Sequence, residues 1–343
     1  MLKLFRLNFT TPLHISNVRE DYAQTNRRIH SDTLYSAIIQ TWALLGKNTW
    51  LAALEQQNGE PNFALSSLFP YTTSNQQTVY FLPRPLKSFH LADVEREFKG
   101  KMKLLKEIEW LDLECYKMQI QQPEGYAPKL NEVQEVYLSK HKIDINFLDS
   151  QVNPHVTIPR EGGDANPFYV EQLRFTEGSG MYGLFHGTDE AFTQFATAMY
   201  LLQDEGIGTD KSMGYGRFEF ALANDIETEN FNQLFNSTTP AAYYTNLSLY
   251  NPENYESLQQ MLPTNDQTIG FEWTKRGGWI TTSPYLNLRK KAIYMFSEGS
   301  IFKSDTPIVT HGASQNVKPS IISPNEHPIW RVGKSLFVPI QTV

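Results

Sequence analysis

The chain contains one cysteine, Cys115, in 343 residues. That excludes an intramolecular disulfide and any zinc cluster built on cysteine thiolates, and it fits a reducing compartment. No apolar run approaches the ~20 residues a membrane helix needs. The opening "MLKLFRLNF" lacks the apolar stretch and small-residue cleavage site of a signal peptide. The expectation is a cytoplasmic protein with no membrane partner. Positive charge is also scarce: 37 acidic against 30 basic residues leave a net charge of −7. A generally basic coat for nucleic acid is excluded, so any such contact has to come from local patches. Neither an internal repeat nor a low-complexity tract is present.

What the chain does hold is core material, 40% hydrophobic and 13% aromatic residues, enough for two domains or one with large insertions. "LKLFRLNF" alternates as a strand does. In "HSDTLYSAIIQTWALLG", Ser31 reads as an N-cap with Asp32 in the first turn. Leu34, Ile38, Thr41, Trp42 and Leu45 share a face, and Gly46 stops the helix. "TDEAFTQFATAMYLLQDEG" repeats the design with Phe192, Phe195, Ala196, Met199 and Leu202, and Gly206 stands just past its end. Before it, "FYVEQLRF" and "MYGLFHG" are joined by "TEGSG" into an expected hairpin. Strand, helix, hairpin, helix, strand is the order of a ferredoxin-like or RRM-like βαββαβ unit over residues 1–225. Residues 70–150 or so then form an insertion between its first helix and the hairpin.

Within the insertion, Arg84, Lys87, Arg96, Lys99, Lys101, Lys103 and Lys106 are interleaved with Glu95, Glu97, Glu107 and Glu109, the pattern of a solvated helix face. Residues 226–240 read as a polar connector carrying one short helix. Residues 241–343 read as a smaller α+β domain with a hairpin through "TKRGGW" and a last one, "PIWRVGKSLFVPI", turning at Gly333. Apolar surface on "LSSLFPY" and on the C-terminal strands suits an assembly interface, and core packing explains it equally well.

Between the second helix and its strand lies "GIGTDKSMGYGRFEF", residues 206–220. A dinucleotide fingerprint needs three glycines between a strand and a helix, but Lys211 holds the third position and the loop runs from helix to strand. A phosphate-binding Walker loop fails too, because Asp210 stands where glycine is required. Two readings stay open. Gly206, Gly208, Gly214 and Gly216 can expose backbone N–H groups to a sugar-phosphate chain, with Lys211, Ser212 and Arg217 on phosphates and Tyr215 as a stacking ring. Alternatively the stretch is a structural turn in which Tyr215 packs.

Further landmarks follow in order: "IHSDTLYSAI", "LFPYTTSNQQTVYFLPRPL", the glycine stretch, and "RKKAIYMFSEGSIF". The glycine stretch resembles the loop of the RAMP superfamily of CRISPR proteins. The ordered set resembles the family of the fourth Csm subunit of type III-A effector complexes. That resemblance implies an α+β fold of two ferredoxin-like domains, with the long insertion in the first and the glycine-rich loop after its second helix. It implies a subunit without catalytic residues, metal or cofactor that caps the complex by gripping the 5′ repeat-derived tag of the guide RNA. Its implied partners are the guide RNA, the large polymerase-like subunit and a backbone RAMP subunit, with target nucleic acid met only through the complex. Asp210 departs from the basic residue often found there, which puts one phosphate contact in doubt.

Further candidates for the tag, a single strand read by phosphate contacts and stacking, are Arg27, Arg28, His30 and Ser31 at the first helix. His14 in "TPLHISN" matches a family position lining the groove. In "NPHVTIPREGG", a turn is favoured for His155 and an RNA contact for Arg160. The alternative is a metal-independent RAMP endoribonuclease using His14, His30, Tyr35 or Tyr215 as acid–base groups.

Overall fold

The computed structural model describes residues 1–15, 27–74, 77–90, 94, 98–157, 164–236, 241–281 and 284–342. The first half is built on β1 (Leu2–Phe9), α1 (Ser31–Leu44), α2 (Asn48–Gln56), β2 (Ala64–Leu65), β3 (Phe69–Ser74) and β4 (Gln77–Pro83). An excursion follows through α3 (Met102–Glu107), β5 (Trp110–Asp112), α4 (Leu113–Gln121), β6 (Val133–Gln134), β7 (Tyr137–Leu138), β8 (Leu148–Thr157) and β9 (Asn166–Phe175). The chain then returns as β10 (Ser179–His186), α5 (Asp189–Glu205), β11 (Phe218–Leu222) and α6 (Asp225–Phe235). These strands form a sheet in the order β11-β1-β10-β3-β4-β5-β7-β6, with β2 on β10. Its first four strands are antiparallel throughout, the order of a βαββαβ unit whose helices are α1 and α5.

The helices cover one face because their apolar stripes demand it. Leu34, Ile38, Thr41 and Trp42 of α1 and Phe195, Ala198, Met199 and Leu202 of α5 are buried. The Trp42 indole N–H donates to Gln194 O at 3.0 Å, and the Phe5 ring meets Phe195 at 4.9 Å. Three expectations change here. Leu45 lies beyond the helix end and is exposed, and Ala196 is only half-buried while Ala198 is fully buried. The N-cap of α1 is His30, not Ser31. Ser31 is fully buried: its N–H donates to Ser67 Oγ at 2.9 Å and its hydroxyl accepts from Leu249 N at 3.1 Å.

The expected hairpin of "FYVEQLRF" with "MYGLFHG" does not form. β9 pairs with β8 over its whole length, Leu148 opposite Phe175 through Thr157 opposite Asn166, as a separate two-stranded ribbon. β10 pairs with β1 and β3. Residues Ser179 to Phe185 are buried along both faces, as a central strand requires, whereas β9 leaves Tyr169 exposed. The long excursion therefore opens between β3 and β10, the second and third strands of the unit in chain order, and not between α1 and a β9–β10 hairpin. His155, read as part of a turn, stands in β8 opposite Phe168.

The basic stretch is not simply a solvated face. Lys103 does pair with Glu107 at 3.3 Å along α3, but Arg84 turns inward, donating to Leu105 O at 2.6 Å above the Phe89 ring. Lys87 donates to Gln119 O and Gln341 O at 3.1 and 2.7 Å, and burial lowers its ammonium pKa to about 8. Arg96, Glu95 and Glu97 lie outside the described residues. "LSSLFPY" is buried from Leu65 to Tyr71, so core packing accounts for it. In the expected connector, α6 opens on an Asn224–Glu227 capping box and buries Phe231 and Leu234.

The remainder comprises β12 (Tyr243–Asn246), α7 (Tyr255–Met261), β13 (Trp273–Arg276), β14 (Ile293–Phe296), β15 (Ile301–Lys303), β16 (Thr310–His311), β17 (Gln315–Asn316), β18 (Trp330–Arg331) and β19 (Ser335–Ile340). β12 lies between β15 and β19, β16 extends that sheet beyond β19, and β13 pairs with β14. Gly333 is not a hairpin turn. β18 pairs with β17 and β19 with β12, because Gly333 O accepts from Asn251 N at 3.1 Å and the chain crosses there. The main core is continuous from Leu4 to Ile340, taking in Leu247, Ile301, Val332, Leu336 and Val338. Among the described residues no helix is long and apolar enough to cross a membrane.

Two buried carboxylates tie the halves together. Asp32 accepts from Arg276 Nε and Nη2, both at 2.9 Å, and from Arg331 Nη1. Burial pushes its pKa up, but Arg276 and Arg331 outweigh that and hold it well below the usual range. Glu298 accepts from Arg28 Nη1 at 3.0 Å and from Ser67 Oγ, and lies 2.8 Å from His30 Nδ1. Burial again opposes ionisation, and His30 and Arg28 prevail, so this carboxyl is also held low.

Asp32→Ala strands Arg276 and Arg331 in the interior and is expected to cost about 3–5 kcal/mol in urea denaturation. Both carboxyl pKa values are depressed by folding, so their contribution is complete above the ordinary values of 3.8 and 4.5. It is lost as pH falls below them. In Asp32→Ala that acid-dependent loss should shrink.

Candidate nucleic-acid interface

Helix α5 ends at Gly206, φ 81°, and the chain doubles back so that Ile207 N donates to Gly216 O at 2.9 Å. From the other side the segment after β1 clamps this loop. Thr209 N donates to His14 O at 3.0 Å, Gly216 N to Pro12 O at 2.8 Å, and Arg217 N to Thr11 Oγ1 at 2.9 Å. A Cβ at Gly206 would fall 2.5 Å from Tyr215 O, one at Gly208 2.5 Å from His14 O, and one at Gly216 onto Ile207 O. Three of the four glycines are therefore places where backbone touches backbone. Gly214, φ 84°, differs, with open space around it. Between these anchors Asp210 adopts φ 58° and opens a 3-10 turn over Lys211–Met213. Lys211, Ser212 and Met213 are exposed, Tyr215 is half-buried, and Arg217 is exposed at the start of β11.

The ribbon β8–β9 is rooted beside this loop. Leu13 and Leu173 exchange backbone hydrogen bonds at 2.9 and 2.8 Å, and Thr176 N and Ser179 Oγ both donate to Phe147 O at 3.0 Å. His14 sits in the joint, buried, with Nδ1 2.6 Å from Glu171 O and Nε2 without a partner among the described residues. Arg160 lies outside the described residues.

The candidate residues thus fall into two groups. His14, the glycines, Lys211, Ser212, Tyr215 and Arg217 come together around one loop. Arg28, His30 and Ser31 are held elsewhere, the first two on Glu298 and the third between Ser67 and Leu249, with the Arg28 guanidinium also 4.7 Å above the Trp110 ring. Arg27 is exposed. Tyr35, a candidate acid–base group, is buried, accepts from Leu65 N at 2.8 Å, and has its pKa raised by burial. Among the described residues no His, Cys, Asp or Glu cluster is arranged to hold a metal ion. Thr11 and Glu171 carried no sequence signal, since the bonds by which they hold Arg217 N and His14 are created only by the fold.

The model of the RAMP superfamily matches residues 6–219, the span from β1 to β11 that contains the clamped loop. The chain belongs to the RAMP superfamily. Behind this RAMP part, residues 239–340 match the model of the CRISPR Csm4 C-terminal domain. Among curated proteins, the RAMP chain is similar to the CRISPR system Cms protein Csm4 of Thermococcus onnurineus (strain NA1), 26% identical over 248 residues and covering 70% of each chain. The Csm4 of Methanocaldococcus jannaschii is 25% identical over 331 residues, covering 83% of this chain and 82% of that one. Among solved structures, a chain of a Csm3–Csm4 subcomplex in the type III-A CRISPR-Cas interference complex matches with a TM-score of 0.59 at 20% identity, over 98% of this chain and 99% of that one. A chain of a Csm1–Csm4 cassette matches at 0.57 and 18% identity, over 100% and 98%. The fold of those chains therefore extends over the whole of this one.

The two kinds of glycine in the RAMP loop make separate predictions. Gly216→Ala drives a methyl group into the Ile207 carbonyl and is expected to cost at least about 2 kcal/mol in urea denaturation. Gly214→Ala meets no atom, so it should cost only the roughly 1 kcal/mol of a left-handed alanine. Equal losses would refute the assignment of Gly216 as a close-approach position.

Proposed function

We propose that this protein is the non-catalytic subunit of a type III-A CRISPR complex that holds the 5′ repeat-derived tag of the guide RNA and caps the assembly. The observation that carries this is the clamped loop: Lys211, Ser212 and Arg217 are exposed on backbone fixed from both sides, so cations are presented with little ordering left to do. The N–H groups of Gly206, Gly214 and Gly216 are spent inside the protein, on Leu202 O, Lys211 O and Pro12 O, so the phosphates fall to the exposed cations of this rigid turn, and Tyr215 beside them suits a base. The ribbon β8–β9 is joined to the segment that clamps the loop at Leu13 and His14, and Arg160, outside the described residues, belongs to this reading as a further RNA contact. Arg27, exposed just before α1, belongs to this reading as a phosphate contact, while Arg28, His30 and Ser31 support it less directly, by fixing the entry to α1. The similarity to chains from Csm3–Csm4 and Csm1–Csm4 assemblies supports docking between a backbone RAMP subunit and a large polymerase-like subunit.

The two-domain plan belongs to the same proposal. β13, the run β14–β15, β12 and β19 follow one another as the strands of a second ferredoxin-like unit, with Tyr250 bridged to Phe296 and α7 as its first helix. Residues 304–334 take the place of its second helix.

Against an endoribonuclease stand the positions of its acid–base groups: His14 and Tyr35 are buried, and His30 is engaged by Glu298. The purified protein, incubated with repeat RNA and a chelator, is expected to leave the RNA intact. Specific cleavage abolished by His14→Ala or His30→Ala would overturn the non-catalytic reading. Lys211→Ala with Arg217→Ala is expected to weaken tag binding and to flatten its log-log salt dependence by roughly 0.7 for each phosphate that is no longer neutralised. Unchanged affinity and slope would leave the protein a scaffold.

A further inference from the structure

In a chain of net charge −7, residues 273–291, "WTKRGGWITTSPYLNLRKK", carry Lys275, Arg276, Arg289, Lys290 and Lys291 and no acidic residue. The same stretch holds Trp273 and Trp279, and Tyr294 follows closely. The fold brings these residues together. β13 pairs with β14 so that Trp273 faces Phe296 and Lys275 faces Tyr294. Residues directly opposite in an antiparallel pair share a face, and so do residues two apart along a strand. One face therefore carries Trp273, Lys275, Tyr294 and Phe296. The other carries Arg276 and Met295, both buried, with Arg276 committed to Asp32.

The outward face is strongly exposed: 64% for Trp273, 62% for Tyr294 and 42% for neighbouring Phe271. It is also held in shape. The Trp273 indole is stacked on buried Phe296 at an interplanar angle of 26°, and Phe271 packs edge-on against it. The ribbon continues past Gly278, where Lys290 N donates to Gly278 O at 2.9 Å, to a bridge between Trp279 and Arg289. There the Arg289 guanidinium lies 4.6 Å above the Trp279 ring, which is itself 51% exposed. Glu272 is the exposed acid bordering this face, while Asp32 and Glu298 lie buried with their own cations.

We propose that this face of the β13–β14 ribbon is a second platform for single-stranded RNA, distinct from the glycine loop. Bases stack on Trp273 and Tyr294 and Lys275 serves the phosphates, with Trp279 and its overlying Arg289 adding a ring and a cation where the ribbon continues. Preformed rings interleaved with cations are the arrangement that binds unpaired nucleotides with little regard to sequence. A protein partner would use the rings but gains nothing from an acid-free run of cations unless it is itself acidic. The local charge thus favours a polyanion.

The test uses the full chain and fluorescein-labelled oligouridine, read by anisotropy across a salt series. Trp273→Ala with Tyr294→Ala changes exposed side chains and is expected to weaken binding about tenfold or more. That loss should also appear in the background of Lys211→Ala with Arg217→Ala. Lys275→Ala should flatten the salt slope by roughly 0.7, whereas the aromatic pair should leave the slope unchanged. Photocrosslinking of 4-thiouridine oligomers should label the segment 271–296. Unchanged affinity of the aromatic variant in both backgrounds, or cross-links confined to the glycine loop, would overturn the platform and leave the loop assignment standing. Loss of co-purification with co-expressed Csm1- and Csm3-type subunits, with oligouridine affinity unchanged, would make the face a protein interface and equally overturn it.

Discussion

The structure depends on a carboxylate that has been taken out of water. Asp32 stands in the first turn of α1, fully buried, and it tolerates that position only because Arg276 and Arg331 arrive from strands more than 240 residues later in the chain. Such a pair gains little over apolar packing, yet a missing partner leaves an uncompensated charge in the interior. It therefore acts as a register pin: a misplaced β13 or β18 cannot satisfy it. Glu298 does the same from the opposite side, drawing Arg28 and His30 onto a carboxylate that Ser67 also holds. The short run from Arg28 to Asp32 is fixed at both ends by the C-terminal half. Everything that follows from the position of α1, including the helix face that covers β1 and β10, inherits that constraint.

The same economy explains where positive charge is found. Many of the arginines are used inside the protein: Arg6 on Glu227 and Tyr80, Arg84 on the Leu105 carbonyl, and Arg28, Arg276 and Arg331 on the two pins. With so much cationic side chain committed to architecture and a net charge below zero, exposed basic groups become local features. The glycine loop is one, and it is held where carbonyls at His14, Ile207 and Tyr215 leave no room for side chains.

How far these features were legible in the sequence follows from their range. Helices α1 and α5 were readable because an apolar stripe is a local property, and the helix-to-strand order around Gly206 was enough to dismiss the nucleotide loops. Strand pairing was not readable. "FYVEQLRF" and "MYGLFHG" are adjacent and β-prone, but burial on both faces sends β10 into the sheet while β9 finds its partner in β8, the strand before it. The latch residues show the opposite failure. Arg28, His30 and Ser31 beside a helix start resemble an anion site, and nothing local reveals that Glu298 and Leu249 will claim them. Glu298 itself was visible only as one letter of a matched motif. Gly333 looked like a turn because glycine usually permits one, whereas here it clears space for Asn251.

The continuity of the core from β1 to β19 has a consequence for how the protein is made. β19 lies between β12 and β16, and Leu336, Val338 and Ile340 complete a core whose other members come from the first strands and helices. A ribosome delivers that strand last among the described elements. Until it emerges, part of the apolar surface of the N-terminal half stays uncovered, and before that Asp32 has waited for Arg276 and then for Arg331. Folding of the first half during synthesis is thus provisional, and the window between its translation and that of β19 is when the nascent chain most needs shelter from chaperones or from a subunit already assembled.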